Sequence, residues 1–401
     1  MTATAPAAAG ACDACLRRSL LVAVVAGGIE VARRQRRPLR DVLALDEDDL
    51  LAAVGGRKAD ELRERLDRSS LVELRRAVEL AELDAVCRHD PGYPSQLLDD
   101  RSAPAVLYVR AVGGAARDRL EAAVGAAHRE PPPAVAIVGT RKASDDGLAV
   151  ARALARGLGA AGITVVSGMA LGVDSAAHEG ALDAGGTTVA VLAGGADVPY
   201  PRSKQRLWGR IATTGLVVSE MPPGRRPFPW NFLARNRVIA GLAAATIVVE
   251  AAERSGSLVT AELAVELGRD VGAVPGSVLD WRSRGTNALL RDGASVVRDA
   301  RDALDLVLGV DGAMVALERA TGAATRPPAD LEPRLAWLLR ALDDGRDTVT
   351  AIAADPAQAG DVRAGLMELE LLGLVERVAG GRVRRVSPVL GEVAVRAEAR
   401  A

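Results

Sequence analysis

The sequence predicts an α/β protein: an extended Rossmann-like, doubly wound and mostly parallel sheet, with a small helical domain before it and a winged-helix domain after it. Three observations predict this. Between residues 134 and 308 short apolar runs alternate with helical patterns, the runs are apolar at consecutive positions, and the loops that follow them are rich in glycine and polar residues. A strand that is apolar at every position is buried on both faces, which is the condition of a parallel sheet covered by helices.

Residues 11–87 read as short helices, because LRRSLLVAVVAGGIEVARR, DEDDLLAAVGGRKADELRERL and SLVELRRAVELAELDAV carry apolar residues three and four apart. They define an N-terminal helical domain over 1–88, similar to SAM or helix-hairpin-helix modules at the glycine turn Val54-Gly55-Gly56. The run 20–28 imitates a signal-peptide core but is about half a membrane span and continues into Glu30, so it reads as a buried helix of a cytoplasmic protein. Residues 89–133 form a connector: an extended stretch ending in a short strand near 110, then a helix that Pro131, Pro132 and Pro133 stop.

The sheet domain, 134–308, has predicted strands at 134–138, 163–167, 187–192, 216–220, 245–250, 270–275 and 294–297. Helices are predicted between them at 147–161, 175–184, 204–213, 233–242 and 258–267. A linker with Gly312, Gly322, Pro327 and Pro328, carrying a short helical piece, covers 309–330. Three helices and a hairpin turning at Gly380 and Gly381 give the order of a winged helix over 331–388, and 389–401 is a tail.

Composition narrows the function. The chain has 401 residues, 49% hydrophobic and 26% charged, with 51 basic against 52 acidic residues, so wholesale disorder and a polycationic nucleic-acid tail are both excluded. Any nucleic-acid site must be local. Only Lys58, Lys142 and Lys204 are lysines, an arginine bias that reads as a property of the whole composition rather than of one site. Three cysteines are too few for a disulfide framework. Cys12 and Cys15 form a C-x-x-C that Cys87 and His89 would complete as a zinc set only if they converged across seventy residues of helical sequence, so no metal and no cofactor are expected.

In an open parallel sheet ligands bind at the carboxyl ends of the strands. There the sequence places Gly139-Thr140-Arg141, 168–174, Gly194 to Asp197, 222–226 and Ser255-Gly256-Ser257. Glycine-exposed amides at helix starts favour anions, yet neither G-x-x-x-x-G-K-[ST] nor G-x-G-x-x-G is present, which disfavours nucleotide hydrolysis and NAD chemistry. The window 200–240 is the most informative. It holds Arg202, Lys204, Arg206, Arg210, Arg225, Arg226, Arg235 and Arg237 against Glu220 alone, with Tyr200, Trp208, Phe228, Trp230 and Phe232. Cations that track a backbone, interleaved with rings on which bases stack, are what single-stranded nucleic-acid binding requires. Asp174 and His178 near Ser167 or Ser175 invite a triad reading, but Asp174 stands where an N-cap would and the histidine reads as structural.

The strings VGTR (138–141), SGMALGVDSAAH (167–178), TTVAVLAGGADVPYP (187–201), RNRVIAGL (235–242), VEAAERSGSLVTAELAVELGRDVGAVPG (249–276) and GTNALLRDGA (285–294) together resemble the DNA-processing protein A (DprA/Smf) family, in family order and spacing. The resemblance implies a cytoplasmic, non-enzymatic protein that binds single-stranded DNA without sequence preference, protects it, and loads RecA recombinase onto it during natural transformation. It also implies a homodimer through the Rossmann-like domain. Carried over by motif, Arg141 and Arg202 match DNA-pocket positions, and Ser167, Gly168, Arg235, Asn236, Ser255, Gly256 and Ser257 line the same face. Lys204, Phe232 and Arg237 join them from the basic and aromatic window. Ala193 and Ala196 depart from the family's usual glycine and larger aliphatic residue, and Arg202 replaces a common lysine while keeping the charge.

Two rival functions have sequence discriminators. A nucleoside monophosphate phosphoribohydrolase of the LOG type shares the general fold, but its P-G-G-x-G-T-x-x-E motif corresponds here to RSGSLVTAE, which keeps Glu262 and loses the glycine cradle. A winged-helix regulator would need a basic recognition helix, whereas 358–371 carries Arg363 among Asp361, Glu368 and Glu370.

Overall fold

The computed structural model describes residues 10–113, 116–126, 133–324, 331–353, 355, 358–371, 374–378 and 381–385. Gly380, Pro131, Pro132, Pro327, Pro328 and the tail 389–401 lie outside them.

The N-terminal helices are α1 (Asp13–Val24), α2 (Ala26–Arg34), α3 (Leu39–Ala44), α4 (Glu47–Gly55), α5 (Ala59–Asp67) and α6 (Leu71–Leu80). Side-chain caps start two of them: Asp46 accepts from the Asp49 N–H ahead of α4, and Ser70 accepts from the Glu73 N–H ahead of α6. The stretch 16–34, read as one helix, breaks at Val25, and α2 then packs so closely on α4 that a Cβ at Gly28 would lie 2.4 Å from the Val54 carbonyl oxygen. The run that imitated a signal peptide is core, with Leu20, Leu21, Val25 and Ala26 all buried.

After α6 the chain differs from the helical expectation. Glu82 takes a left-handed φ of 52°, and Asp84–Cys87 forms strand β1 instead of the end of a helix. The cause is tertiary: β1 pairs antiparallel with β2 (Val106–Arg110), and a helical pattern in isolated sequence yields to that ladder. Helix α7 (Ala116–Val124) follows.

The alternation predicted from 134 onward is present throughout. It runs β3 (Ala134–Val138), α8 (Asp145–Ala160), β4 (Thr164–Ser167), α9 (Val173–Asp183), β5 (Thr188–Leu192), α10 (Gln205–Thr214) and β6 (Leu216–Ser219). It continues with α11 (Pro229–Leu242), β7 (Ala245–Val248), α12 (Gly256–Glu266), β8 (Asp270–Ala273), α13 (Arg284–Arg291), β9 (Ser295–Val296) and α14 (Ala300–Ala324), which is broken at Gly309. The nine strands form one sheet in the order β1-β2-β6-β5-β4-β3-β7-β8-β9, parallel except where β2 meets β6 and β1 meets β2.

Alternate residues of β2, β5 and β6 feed two cores, one on each face of the sheet. Val106 and Tyr108 of β2, Ala190 and Leu192 of β5 and Val217 of β6 join the N-terminal helices and α10. Leu107, Val109, Val189, Val191, Leu216 and Val218 join α7 and the body of α11. The helices α1 to α6 therefore share a core with the sheet, and Ser19 and Tyr108 link them further through a buried hydroxyl pair at 2.9 Å. One compact unit extends through residue 313, and the second begins at Met314.

In the second unit, α15 (Pro333–Asp343), α16 (Val349–Ile352) and α17 (Ala359–Leu371) are followed by β10 (Val375–Val378) antiparallel to β11 (Arg382–Arg385), with a core of Leu335, Leu338, Ile352, Leu366 and Val383. Among the described residues no helix is long and apolar enough to cross a membrane.

Candidate nucleic-acid interface

The chain leaves β3 toward β4, β5 and β6 on one side, then returns to place β7 on the other side of β3. Loops after β3 and β7 thus diverge, opening a crevice at the carboxyl ends of the strands. Two adjoining clefts fill that position. One, of about 320 Å³, includes Thr140, Arg141, Asn236, Ser255, Gly256 and Ser257 in its lining; the other, of about 100 Å³, includes Gly168, Tyr200 and Pro201. Arg141, Ala170, Phe232 and Arg235 line both.

Where the two clefts meet, the exposed Arg141 guanidinium lies 5.2 Å from the centroid of the Phe232 ring. Phe232 in turn packs against Tyr200, with centroids 5.4 Å apart and planes tilted by 53°. A cation and two rings in one contiguous row offer a phosphate partner beside π-faces.

Below this row Arg235 is buried, with Nη1 donating to the Val191 carbonyl at 2.9 Å. A Cβ at Gly168 would fall 1.4 Å from that Nη1, so glycine is required there by the guanidinium's approach. Burial holds the Arg235 pKa below its ordinary value, opposed by Asp174; burial raises that of Asp174, opposed by Arg235 and by the Ala170 N–H. Asn236 donates from Nδ2 to the Gly256 carbonyl at 3.1 Å, which fixes the start of α12, where Ser255 accepts from the Ser257 N–H. Ser255, Gly256 and Ser257 place the positive end of this helix dipole at the cleft wall.

Four nominated residues stand elsewhere. Ser167 is fully buried and its hydroxyl donates to the Ile137 carbonyl at 2.6 Å, because it is the last residue of a central strand. Arg237, one residue beyond Asn236 on α11, turns away from the cleft and forms a buried ion pair with Glu220. Lys204 pairs with Glu179 at 3.3 Å, outside the clefts. Arg202 is exposed just after Pro201, on the rim and not in the lining.

The window 200–240 is not one surface either. Trp230 is buried, Trp208 donates from Nε1 to the Ala196 carbonyl, and Arg210 pairs with Asp183. Tyr200 was visible only as one of five rings, and its place at the far end of the loop that follows β5 was the signal that it belongs with Phe232.

The serine hydroxyls do not serve a triad. Ser175, like Ser167, donates to a backbone carbonyl, that of Ala170 at 2.6 Å. Asp174 is not the N-cap of α9, since that position is Gly172 with φ 80°. His178 is fully buried, with Nδ1 2.7 Å from Thr188 Oγ1, which itself donates to the Val165 carbonyl. The imidazole is therefore the neutral donor from Nδ1, and burial lowers its pKa from 6.5 to about 3.

Both states carry neutral imidazole above pH 6.5, so the penalty appears only below it, as the unfolded chain protonates and the native one does not. Stability should fall by about 1.4 kcal/mol per pH unit on this account as pH drops from 6.5 toward 3. Urea unfolding across that range should show a shallower acid limb for His178→Gln; an identical limb in both proteins would assign acid sensitivity to other groups.

The family model of DNA recombination-mediator protein A matches residues 84–308, from β1 to the first half of the kinked α14. Among curated relatives, Protein Smf of Synechocystis sp. is 38% identical over 325 residues, covering 74% of this chain and 78% of its own. Protein Smf of Escherichia coli is 35% identical over 299 residues, covering 73% and 75%. The crystal structure of DNA processing protein A from Streptococcus pneumoniae superposes with a TM-score of 0.58 at 34% identity, over 73% of this chain and 96% of that one. The match of motifs, sheet topology and most of the length in each comparison has one reading: the chain belongs to the DNA recombination-mediator protein A (DprA/Smf) family.

Proposed function

We propose that this protein binds single-stranded DNA without sequence preference in the crevice over β3, β4 and β5, and loads RecA recombinase onto it during DNA uptake and recombination in the cytoplasm. The observation that carries the reading is the row Arg141, Phe232, Tyr200 at the topological switch point. Phosphates meet Arg141 and the start of α12, bases stack on the rings, and the exposed Arg202, Arg206, Arg225 and Arg226 extend the positive path. Family membership supports the recombination role, and the family resemblance supports a homodimer through the sheet domain.

No catalytic step belongs to this reading. The phosphoribohydrolase alternative loses support because Glu262 lines a separate cavity with Arg33, Arg40 and Glu266 and is absent from the crevice lining. We read the second unit as a winged helix with an accessory or protein-contacting role. Its α17 carries Arg363 as its one basic residue among Asp361, Glu368 and Glu370, and the last two are taken up in ion pairs with Arg334 and Arg377, a helix short of the cations a DNA groove needs.

A mobility-shift titration with single-stranded and duplex oligonucleotides of equal length, repeated with RecA, tests the proposal. Tighter binding of the single strand and faster RecA filament formation on protein-coated strands are expected. Equal affinity for the two DNA forms would overturn it.

A further inference from the structure

We propose that Cys12, Cys15, Cys87 and His89 form a structural, tetrahedral zinc site that ties the first helix of the chain to the antiparallel edge of the sheet. The sequence favoured no metal because these residues lie on two segments some seventy residues apart. The fold removes that objection: all four ligand atoms lie within 4.8 Å of one another.

The distances have the size of a zinc tetrahedron. Cys12 Sγ and Cys15 Sγ each lie 3.4 Å from His89 Nδ1, and Cys87 Sγ lies 3.9 Å from Cys12 Sγ. Zinc bonds of about 2.3 Å to sulfur and about 2.0 Å to nitrogen give tetrahedral edges of about 3.5 to 3.8 Å. The shared Nδ1 therefore sits where a fourth ligand belongs, facing two sulfurs at once.

Local structure presents each ligand without strain. Cys12 occupies the N-cap of α1 but makes no capping bond, and Cys15 lies on the first turn one step along the same face. Cys87 ends β1, and His89 lies in the turn that follows, closed by the Asp90 N–H donating to the Cys87 carbonyl at 2.8 Å. A C-x-x-C at a helix start facing a C-x-H at a strand end supplies four ligands from two rigid elements.

The chemistry selects the ion. Three sulfurs and one imidazole are soft-to-borderline donors that suit Zn²⁺, four protein ligands leave no open position, and such closed sites are structural rather than catalytic. A disulfide does not account for the group: all three cysteines are free, the 3.9 Å between the Cys12 and Cys87 sulfurs is far beyond a bond of about 2.05 Å, and one pairing would leave a thiol and the imidazole unused. Bound zinc would close a long loop in the unfolded chain and so add to the stability of N-terminal helices that already share a core with the sheet.

The test uses the full chain, purified under reducing conditions from zinc-supplemented medium, with metal content read by plasma mass spectrometry. About one zinc per chain is expected. After chelation, Co²⁺ added in its place should give the visible ligand-field bands and the thiolate charge-transfer absorption of a tetrahedral sulfur-rich site. Cys12→Ser and His89→Ala, the less buried pair, should each lower the zinc content several-fold while circular dichroism stays native-like. A native chain that holds neither zinc nor cobalt with its thiols reduced would overturn the proposal. So would full occupancy in both variants.

Discussion

Replacing both Arg141 and Phe232 with alanine is expected to remove most of the affinity for single-stranded DNA while leaving the protein folded. The two changes act on different terms. Loss of a stacking ring costs about 1 to 3 kcal/mol per base, so Phe232→Ala should weaken binding by about 5-fold to 150-fold with an unchanged salt slope. Loss of a phosphate contact should reduce the slope of log affinity against log salt by about 0.7, so Arg141→Ala should weaken binding most at low salt. Because the guanidinium stands 5.2 Å from the Phe232 centroid, the two effects should not add, and a double-mutant cycle should return a coupling between them. Fluorescence-anisotropy titrations of a labelled oligothymidylate over a salt series measure both quantities. Wild-type affinity and slope in the double variant would move the site off this crevice.

Trp230, two residues before Phe232, should behave in the opposite way. It is 0% exposed in the core shared by the N-terminal helices and the sheet, and its backbone N–H donates to Glu30 Oε2 at 3.0 Å. Trp230→Ala should therefore destabilise the chain by about 3 to 5 kcal/mol through lost burial and the cavity left behind. Urea unfolding would show a large drop in midpoint, against a small one for Phe232→Ala, whose ring is half-buried at the mouth of the crevice. A Trp230→Ala protein with the wild-type midpoint but impaired binding would reverse the roles assigned to these two rings.

These neighbours show where sequence reasoning stops. Composition placed Trp230, Phe232 and Tyr200 in one basic and aromatic window, from which Phe232 alone was nominated for the site, but a helix sends residues two apart to different sides. The same rotation separates Asn236, which holds α12 beside the crevice, from Arg237, whose charge is spent on Glu220. Each residue's chemistry was legible, and its direction was not.

The sequence by itself determined the βα alternation from β3 to β9, since strands buried on both faces must be apolar at every position and helices must repeat near every fourth. It also determined the polar glycine loops at the strand ends, and through them the general position of the crevice. Only the tertiary structure decided the antiparallel edge made by β1 and β2, the single core joining the N-terminal helices to the sheet, and the meeting of Cys12 and Cys15 with Cys87 and His89. The physical reason is common to all three. Periodicity and turn chemistry are local and can be read along the chain, whereas strand pairing, shared burial and a four-ligand cluster are contacts between distant segments that exist only once the chain has folded.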